Sequence, residues 1–159
     1  WTTLRSRNVY LYLRESNLED DESLSHGAQH EMNMGKKIST EDVNRSMKMR
    51  SELIKKTDHL FGECDFLAIP SAQVFPFDKN TDYPKKISEK KMQTYHQWME
   101  VTVLSSLLGL PTISIPVGFN ENNLPMGIQI IGRKKEDLRV ISFAKRYEQI
   151  FDYSNVTPT

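Results

Sequence analysis

A single cysteine, Cys64, stands among 159 residues, and one thiol can form neither an internal disulfide nor a cysteine-based zinc cluster. It reads as a small buried hydrophobe and fits a reducing compartment, so the cytoplasm is the expected location. Charge of one sign is lacking too: lysine plus arginine equals aspartate plus glutamate at 21 each. Without excess positive charge to neutralise phosphates or meet an anionic bilayer, neither nucleic acid nor a membrane is an expected partner. No apolar run approaches the roughly 20 residues that span a bilayer, and the longest, Val101 to Leu110, is interrupted by Thr102, Ser105 and Ser106. Internal repeats and low-complexity linkers are missing. The chain opens at Trp1 with no methionine and no leader, from which we expect an upstream part of the protein to precede it.

What is present reads as alternating helix and strand. Leu4, Val9, Leu11 and Leu13 suit a helix or, from Val9, an alternating strand, and the acidic stretch Leu18 to Glu22 reads as a solvated turn. Ser39 as N-cap with Asp42 at the third helical position starts a long helix, striped by Val43, Met47, Ile54 and Phe61 and ended by Gly62. Phe66 to Ile69, stopped by Pro70, reads as a buried strand. The Pro-, Asp-, Lys- and Asn-rich segment from Ser71 to Lys91 is too long for a simple connection and reads as a functional or mobile loop. A helix from about Met92 to Leu108 should stop at Gly109-Leu110-Pro111. Thr112 to Val117 and Met126 to Ile131 are β-rich runs, to be paired antiparallel or bent apart, and Asp137 to Ile150 returns to helical spacing before a tail expected to fray from Asp152. The order gives one α/β layer assembly.

One block carries more than periodicity. Cys64-Asp65-Phe66-Leu67-Ala68-Ile69-Pro70-Ser71 runs on through Phe75-Pro76-Phe77-Asp78, followed by Met92-Gln93-Thr94-Tyr95-His96-Gln97-Trp98-Met99-Glu100. Then come Gly109-Leu110-Pro111-Thr112-Ile113-Ser114-Ile115-Pro116-Val117-Gly118 and Leu124-Pro125-Met126-Gly127-Ile128-Gln129-Ile130-Ile131-Gly132. In this order and spacing the block, residues 63–150, resembles the C-terminal portion of amidase-signature enzymes, with residues 1–62 a mainly helical lead-in. The resemblance implies an α/β fold with a mixed β-sheet flanked by helices. It also implies hydrolysis of amide carbon–nitrogen bonds through a serine nucleophile activated by a second serine and a lysine, with backbone amides stabilising the oxyanion.

That machinery belongs upstream in such enzymes, and the chain contains no Gly-Gly-Ser-Ser-Gly loop and no Gly-x-Ser-x-Gly elbow. No catalytic residue is therefore assigned. Lys36-Lys37, Lys85-Lys86 and Lys90-Lys91 read as solvated charge. His26 and His30 are four apart, as metal ligands on one helical face would be, but Gly27 weakens a helix there and no third ligand is implied. Neither metal nor cofactor is expected. Ser71, His96 and Asp78 form a triad on paper only.

The loop Ser71 to Asp78 follows the carboxyl end of a strand, where α/β proteins build their sites. Gln73 is a candidate to hydrogen-bond a polar substrate and Phe75 to pack an apolar one, unless Phe75 and Phe77 anchor the loop to the core. Tyr95, Trp98 and Met99 are candidates to line the pocket from the following helix, against core packing for Trp98 and Met99. Family members that recognise a glutamine side chain use an acidic residue in this helical region; here Met99 stands beside Glu100, and a stand-alone amidase is the favoured parent. The implied partners are the N-terminal part of the amidase and a small-molecule amide. An exposed face left by the missing part implies self-association. A non-catalytic interaction module that keeps the amidase framework is the alternative.

Overall fold

Serine side chains start two helices near the N-terminus. In the computed structural model, which describes residues 1–19, 21, 23–153 and 156, the chain divides into two units, Trp1–Lys55 and Lys56–Thr159. The first unit contains helix α1, Thr2–Glu15, and helix α2, His26–Lys37. Helix α3, Thr40–Glu63, begins there and ends in the second unit. The open reading at the N-terminus resolves as helix, with Leu13 buried. Of the acidic turn, Asp20 and Glu22 lie outside the described residues, as do 154, 155 and 157–159 of the tail.

Gly27 does not prevent a helix. It falls in the first turn of α2, where glycine interrupts little, and Ser25 Oγ accepts from Ala28 N at 3.3 Å as N-cap. The glycine with a structural task is Gly35: a Cβ there would run into the Ser6 carbonyl and stand 2.6 Å from Tyr10 Cβ, so α1 and α2 meet only because it has none. Beside this contact Glu31, 5 % exposed, accepts from Ser6 Oγ at 2.6 Å and Arg5 Nε at 3.3 Å, which satisfies a buried carboxylate.

Helix α3 opens with the expected capping box: Asp42 N donates to Ser39 Oγ at 3.1 Å and Ser39 N to Asp42 Oδ2 at 3.2 Å. Thr57 and Phe61 on its stripe are buried, whereas Met47 is 44 % exposed. Gly62 does not end the helix, which runs on to Glu63. Its last carbonyls are met from afar instead, by Arg133 Nη2 donating to Phe61 O and to Cys64 O. Cys64 is half-buried rather than buried, and its thiol donates to Leu60 O at 3.2 Å.

The second unit is built on strands β1, Leu67–Pro70, β4, Thr112–Phe119, and β5, Pro125–Ile131, in the antiparallel order β1-β5-β4; between β1 and β4 a small hairpin pairs β2, Lys86–Ile87, with β3, Lys90–Lys91. The turn between β4 and β5 is set by Asn120, whose Oδ1 accepts from Asn122 N and Leu124 N at 2.9 Å each. Pro116 is accommodated on an edge strand, at a register shift before Gly118. Register places Ile113 opposite Ile130 and Ile115 opposite Ile128, so the period of two turns these four side chains to one face. Helix α6, Asp137–Ile150, packs Ala144 and Tyr147 against them to form the core. The other face carries Ser114, Gly127 and Gln129.

Over that other face the expected helix from Met92 to Leu108 is broken into three: α4, Tyr95–Trp98, a 3-10 turn, Glu100–Thr102, and α5, Val103–Leu108. In a continuous helix the carbonyls of Gln97, Trp98 and Val101 would accept from amides four residues on. Here Gln73 Nε2 donates to Gln97 O and Trp98 O at 2.8 and 2.6 Å, and Gln129 Nε2 donates to Val101 O at 3.2 Å. The backbone tightens accordingly, with Thr102 N donating to Met99 O at 2.9 Å. Gly109, at φ 66°, closes α5 in the left-handed conformation.

Candidate functional site

The segment after β1 reaches the sheet face opposite α6 and stays there. Ser71 N donates to Gly127 O at 2.9 Å, and Gln129 Nε2 donates to Pro70 O at 2.9 Å. Between this segment, Trp98 and the β4–β5 pair lies an open cavity of about 430 Å³, within the range of small-molecule sites. One wall is Ala72, Val74, Phe75, Pro76 and Phe77, backed by Trp98; the other is Pro116, Pro125 and Met126; Ser71, Ser114 and Gly127 meet between them. Phe77 stands edge-on to Trp98, ring centroids 5.6 Å apart at 87°.

The floor is polar but uncharged. A Cβ on Gly127 would stand 2.5 Å from Ser71 Oγ and 3.3 Å from Ser114 Oγ, so both hydroxyls converge on the same bare backbone. Neither donates to or accepts from another described side chain or carbonyl, and the lining contains no aspartate, glutamate, lysine, arginine or histidine. A serine hydroxyl without an adjacent base is a weak nucleophile. The cavity can bind and orient a neutral molecule, and it holds no group to activate one. Among the described residues no cluster of histidine, cysteine, aspartate or glutamate is arranged to hold a metal ion.

Of the five residues singled out from the sequence, Phe75 and Trp98 line the cavity, and Gln73, Tyr95 and Met99 do not. Gln73 spends its amide hydrogens on two backbone carbonyls. Tyr95, 45 % exposed, touches Trp98 edge-on from the side, ring centroids 6.0 Å apart. Met99 O receives both Thr102 N and Thr102 Oγ1 at 2.9 Å. Trp98 Nε1 is buried with no hydrogen-bond partner. Ser71 reaches the cavity, whereas His96 and Asp78 are absent from its lining. Ser114, Met126 and Gly127 were missed; the available signal was Gly127, since glycine inside a strand marks a close approach.

The amidase family model matches residues 6–141. The chain belongs to the amidase family. The match extends into the N-terminal helices, where the sequence carried little specific signal. A relative of this amidase chain is a glutamyl-tRNA(Gln) amidotransferase subunit from Borreliella burgdorferi, 35 % identical over 97 residues, which are 61 % of this chain and 19 % of that protein. The corresponding protein of Natranaerobius thermophilus is 33 % identical over 116 residues, 72 % of this chain and 22 % of that protein. In fold the amidase chain is similar to a bacterial aryl acylamidase of the amidase signature family, with a TM-score of 0.79 at 22 % identity, covering 96 % of this chain and 32 % of that one. A second solved amidase superposes with a TM-score of 0.82 at 20 % identity, covering 94 % and 34 %. The chain thus spans about a fifth of the length of these curated relatives and about a third of the solved chains. The helix-and-sheet class expected from the sequence is that of these structures. Among the described residues no helix is long and apolar enough to cross a membrane.

Proposed function

We propose that this chain supplies the substrate-binding part of an enzyme that hydrolyses amide carbon–nitrogen bonds, and that the serine nucleophile, its partner serine and the lysine lie on polypeptide outside these 159 residues. The observation that carries this reading is the cavity: two free hydroxyls and apolar walls beside a complete absence of lining bases. Membership of the amidase family supports the reaction class, and the small fraction of each relative that the chain spans is in keeping with a division of labour. Phe75 and Trp98 touch the substrate; Gln73, Tyr95 and Met99 act on it by holding Trp98 and its turn in place. Exposed apolar side chains of α6, Leu138 at 80 % and Ile150 at 60 %, offer a surface to the remaining polypeptide, or to a second copy where that is absent. The free Cys64 suits the cytoplasmic setting we infer.

The test is hydrolysis of an anilide by the purified chain, alone and mixed with a polypeptide carrying the serine–serine–lysine segment of an amidase. Turnover only in the mixture is expected. Turnover by the chain alone would overturn the reading, and a stable mixture with no turnover would favour a non-catalytic interaction module.

A further inference from the structure

We infer that the segment Tyr95 to Leu108 is a two-state helix and that Gln73 is the latch that keeps it broken. The inference goes beyond the reading above and does not depend on which bond is cleaved. Met92 to Leu108 contains no proline and no glycine, so nothing in its own sequence forbids a continuous helix. The break sits at Met99, whose ψ of 1° departs from the helical value of about −42°. It is imposed from outside. Gln73 Nε2 donates to Gln97 O and Trp98 O, the oxygens that a continuous helix would offer to Val101 N and Thr102 N. Thr102 N turns instead to Met99 O, at 2.9 Å. The two oxygens thus have rival donors, and exchanging one set for the other leaves neither carbonyl unsatisfied. Gln73 is only half-buried, so its released amide can turn to water.

Trp98 is the side chain that the exchange moves. The turn Glu100–Thr102 winds by about 120° per residue where an α-helix winds by about 100°. Converting it to α-helix therefore rotates Trp98 by about 60° relative to α5 and shifts it by about 1.5 Å along the axis. At a side-chain tip about 5–6 Å from that axis the rotation is a movement of about 5–6 Å, comparable with the 5.6 Å between the ring centroids of Trp98 and Phe77. Release separates those rings. It also takes Trp98 Nε1 out of the burial in which it has no hydrogen-bond partner, a state that folded proteins seldom keep.

The fixed side of the device is the sheet. Gln129, in the central strand, holds Val101 O, so the movement falls on Tyr95 to Met99. Gln73 lies just past Ser71, which is pinned to Gly127 O, in the loop that also carries Phe75 and Phe77. Whatever lifts this loop frees the helix, and whatever rotates Trp98 frees the loop.

The experiment is NMR on the full chain labelled with carbon-13 and nitrogen-15, as wild type and as Gln73→Leu. In the variant the Cα shifts of Met99 to Thr102 should move to α-helical values while those of β4 and β5 stay in place. With Trp1→Phe, Trp98 is the sole tryptophan, and its emission should shift to the red when Gln73 is replaced. In the wild type the released state should be populated at about 1–10 % and appear by chemical-exchange saturation transfer at Met99 to Thr102, with helical shifts. That measurement needs no substitution and decides the matter if Gln73→Leu fails to fold. Variant shifts that stay at wild-type values would overturn the latch, and shifts that collapse to random-coil values would overturn the second helical state. Flat saturation profiles in the wild type would overturn the inference equally.

Discussion

Replacing Gln129 by leucine should loosen the end of β1 and the 3-10 turn from the central strand. Gln129 is 7 % exposed, lies in the middle of the central strand β5, and donates from Nε2 to Pro70 O at 2.9 Å and Val101 O at 3.2 Å. Those two bonds tie the end of β1 and the 3-10 turn to the same side chain. Leucine is close to glutamine in volume, so the substitution leaves little void and removes mainly the two donors. Pro70 is exposed and Val101 half-buried, so both carbonyls can turn to water once the donor is gone; losing two part-buried hydrogen bonds at about 0.5–1 kcal/mol each, we expect a loss of about 1–2 kcal/mol. At a urea dependence of roughly 2 kcal/mol per molar, the midpoint should fall by about 0.5–1 M with an unchanged slope. Trp98 fluorescence in the Trp1→Phe background reads the unit that contains Gln129. Gln93→Leu, at an exposed site, is the control and should move stability by less than about 0.5 kcal/mol. A Gln129→Leu midpoint indistinguishable from the control would refute the claim that side-chain amides hold this turn.

Gly35→Ala should destabilise the α1–α2 pair by about 1–3 kcal/mol, because the new methyl meets the Ser6 backbone and cannot be relieved by a rotamer change; thermal melting by circular dichroism measures it. The Ser39 hydroxyl and backbone N–H hold the Asp42 carboxylate below its usual pKa. Because the folded value is depressed, the stabilisation is present at neutral pH and is lost as pH falls through that lowered value. The protection of first-turn α3 amides, taken relative to their intrinsic exchange rates, should therefore fall in acid, and Asp42→Asn should remove most of that dependence. Gly127→Val should fill the space between Ser71 and Ser114, with an overpacking cost of about 1–3 kcal/mol in urea titrations.

Local chemistry was legible and distant chemistry was not. Ser39 with Asp42 announced the start of α3, Gly109 the end of α5, and the apolar spacing from Asp137 to Ile150 gave α6 at its observed bounds. Each of these signals lies within a few residues of the structure it sets. The break at Met99 depends on Gln73, 24 and 25 residues before the carbonyls it claims, and on Gln129, 28 residues after Val101. The end of α3 depends on Arg133, 72 residues from Phe61. No window of helical periodicity contains such partners. The lining of the candidate cavity divides in the same way: Phe75 and Trp98 stand on the loop after a strand and on the helical segment singled out from the sequence, while Ser114 and Gly127 join it only through the pairing of β4 with β5.

The most direct test of the central claim, that the chain binds the amide but does not carry the nucleophile, is labelling with an acyl-serine probe such as a fluorophosphonate. The probe is applied to the chain alone and to its mixture with the serine–serine–lysine polypeptide, and the adduct is located by peptide mass. The account predicts an unmodified chain in both samples and an adduct on the added polypeptide. An adduct on Ser71 or Ser114 of this chain, lost in the corresponding alanine variant, would contradict it.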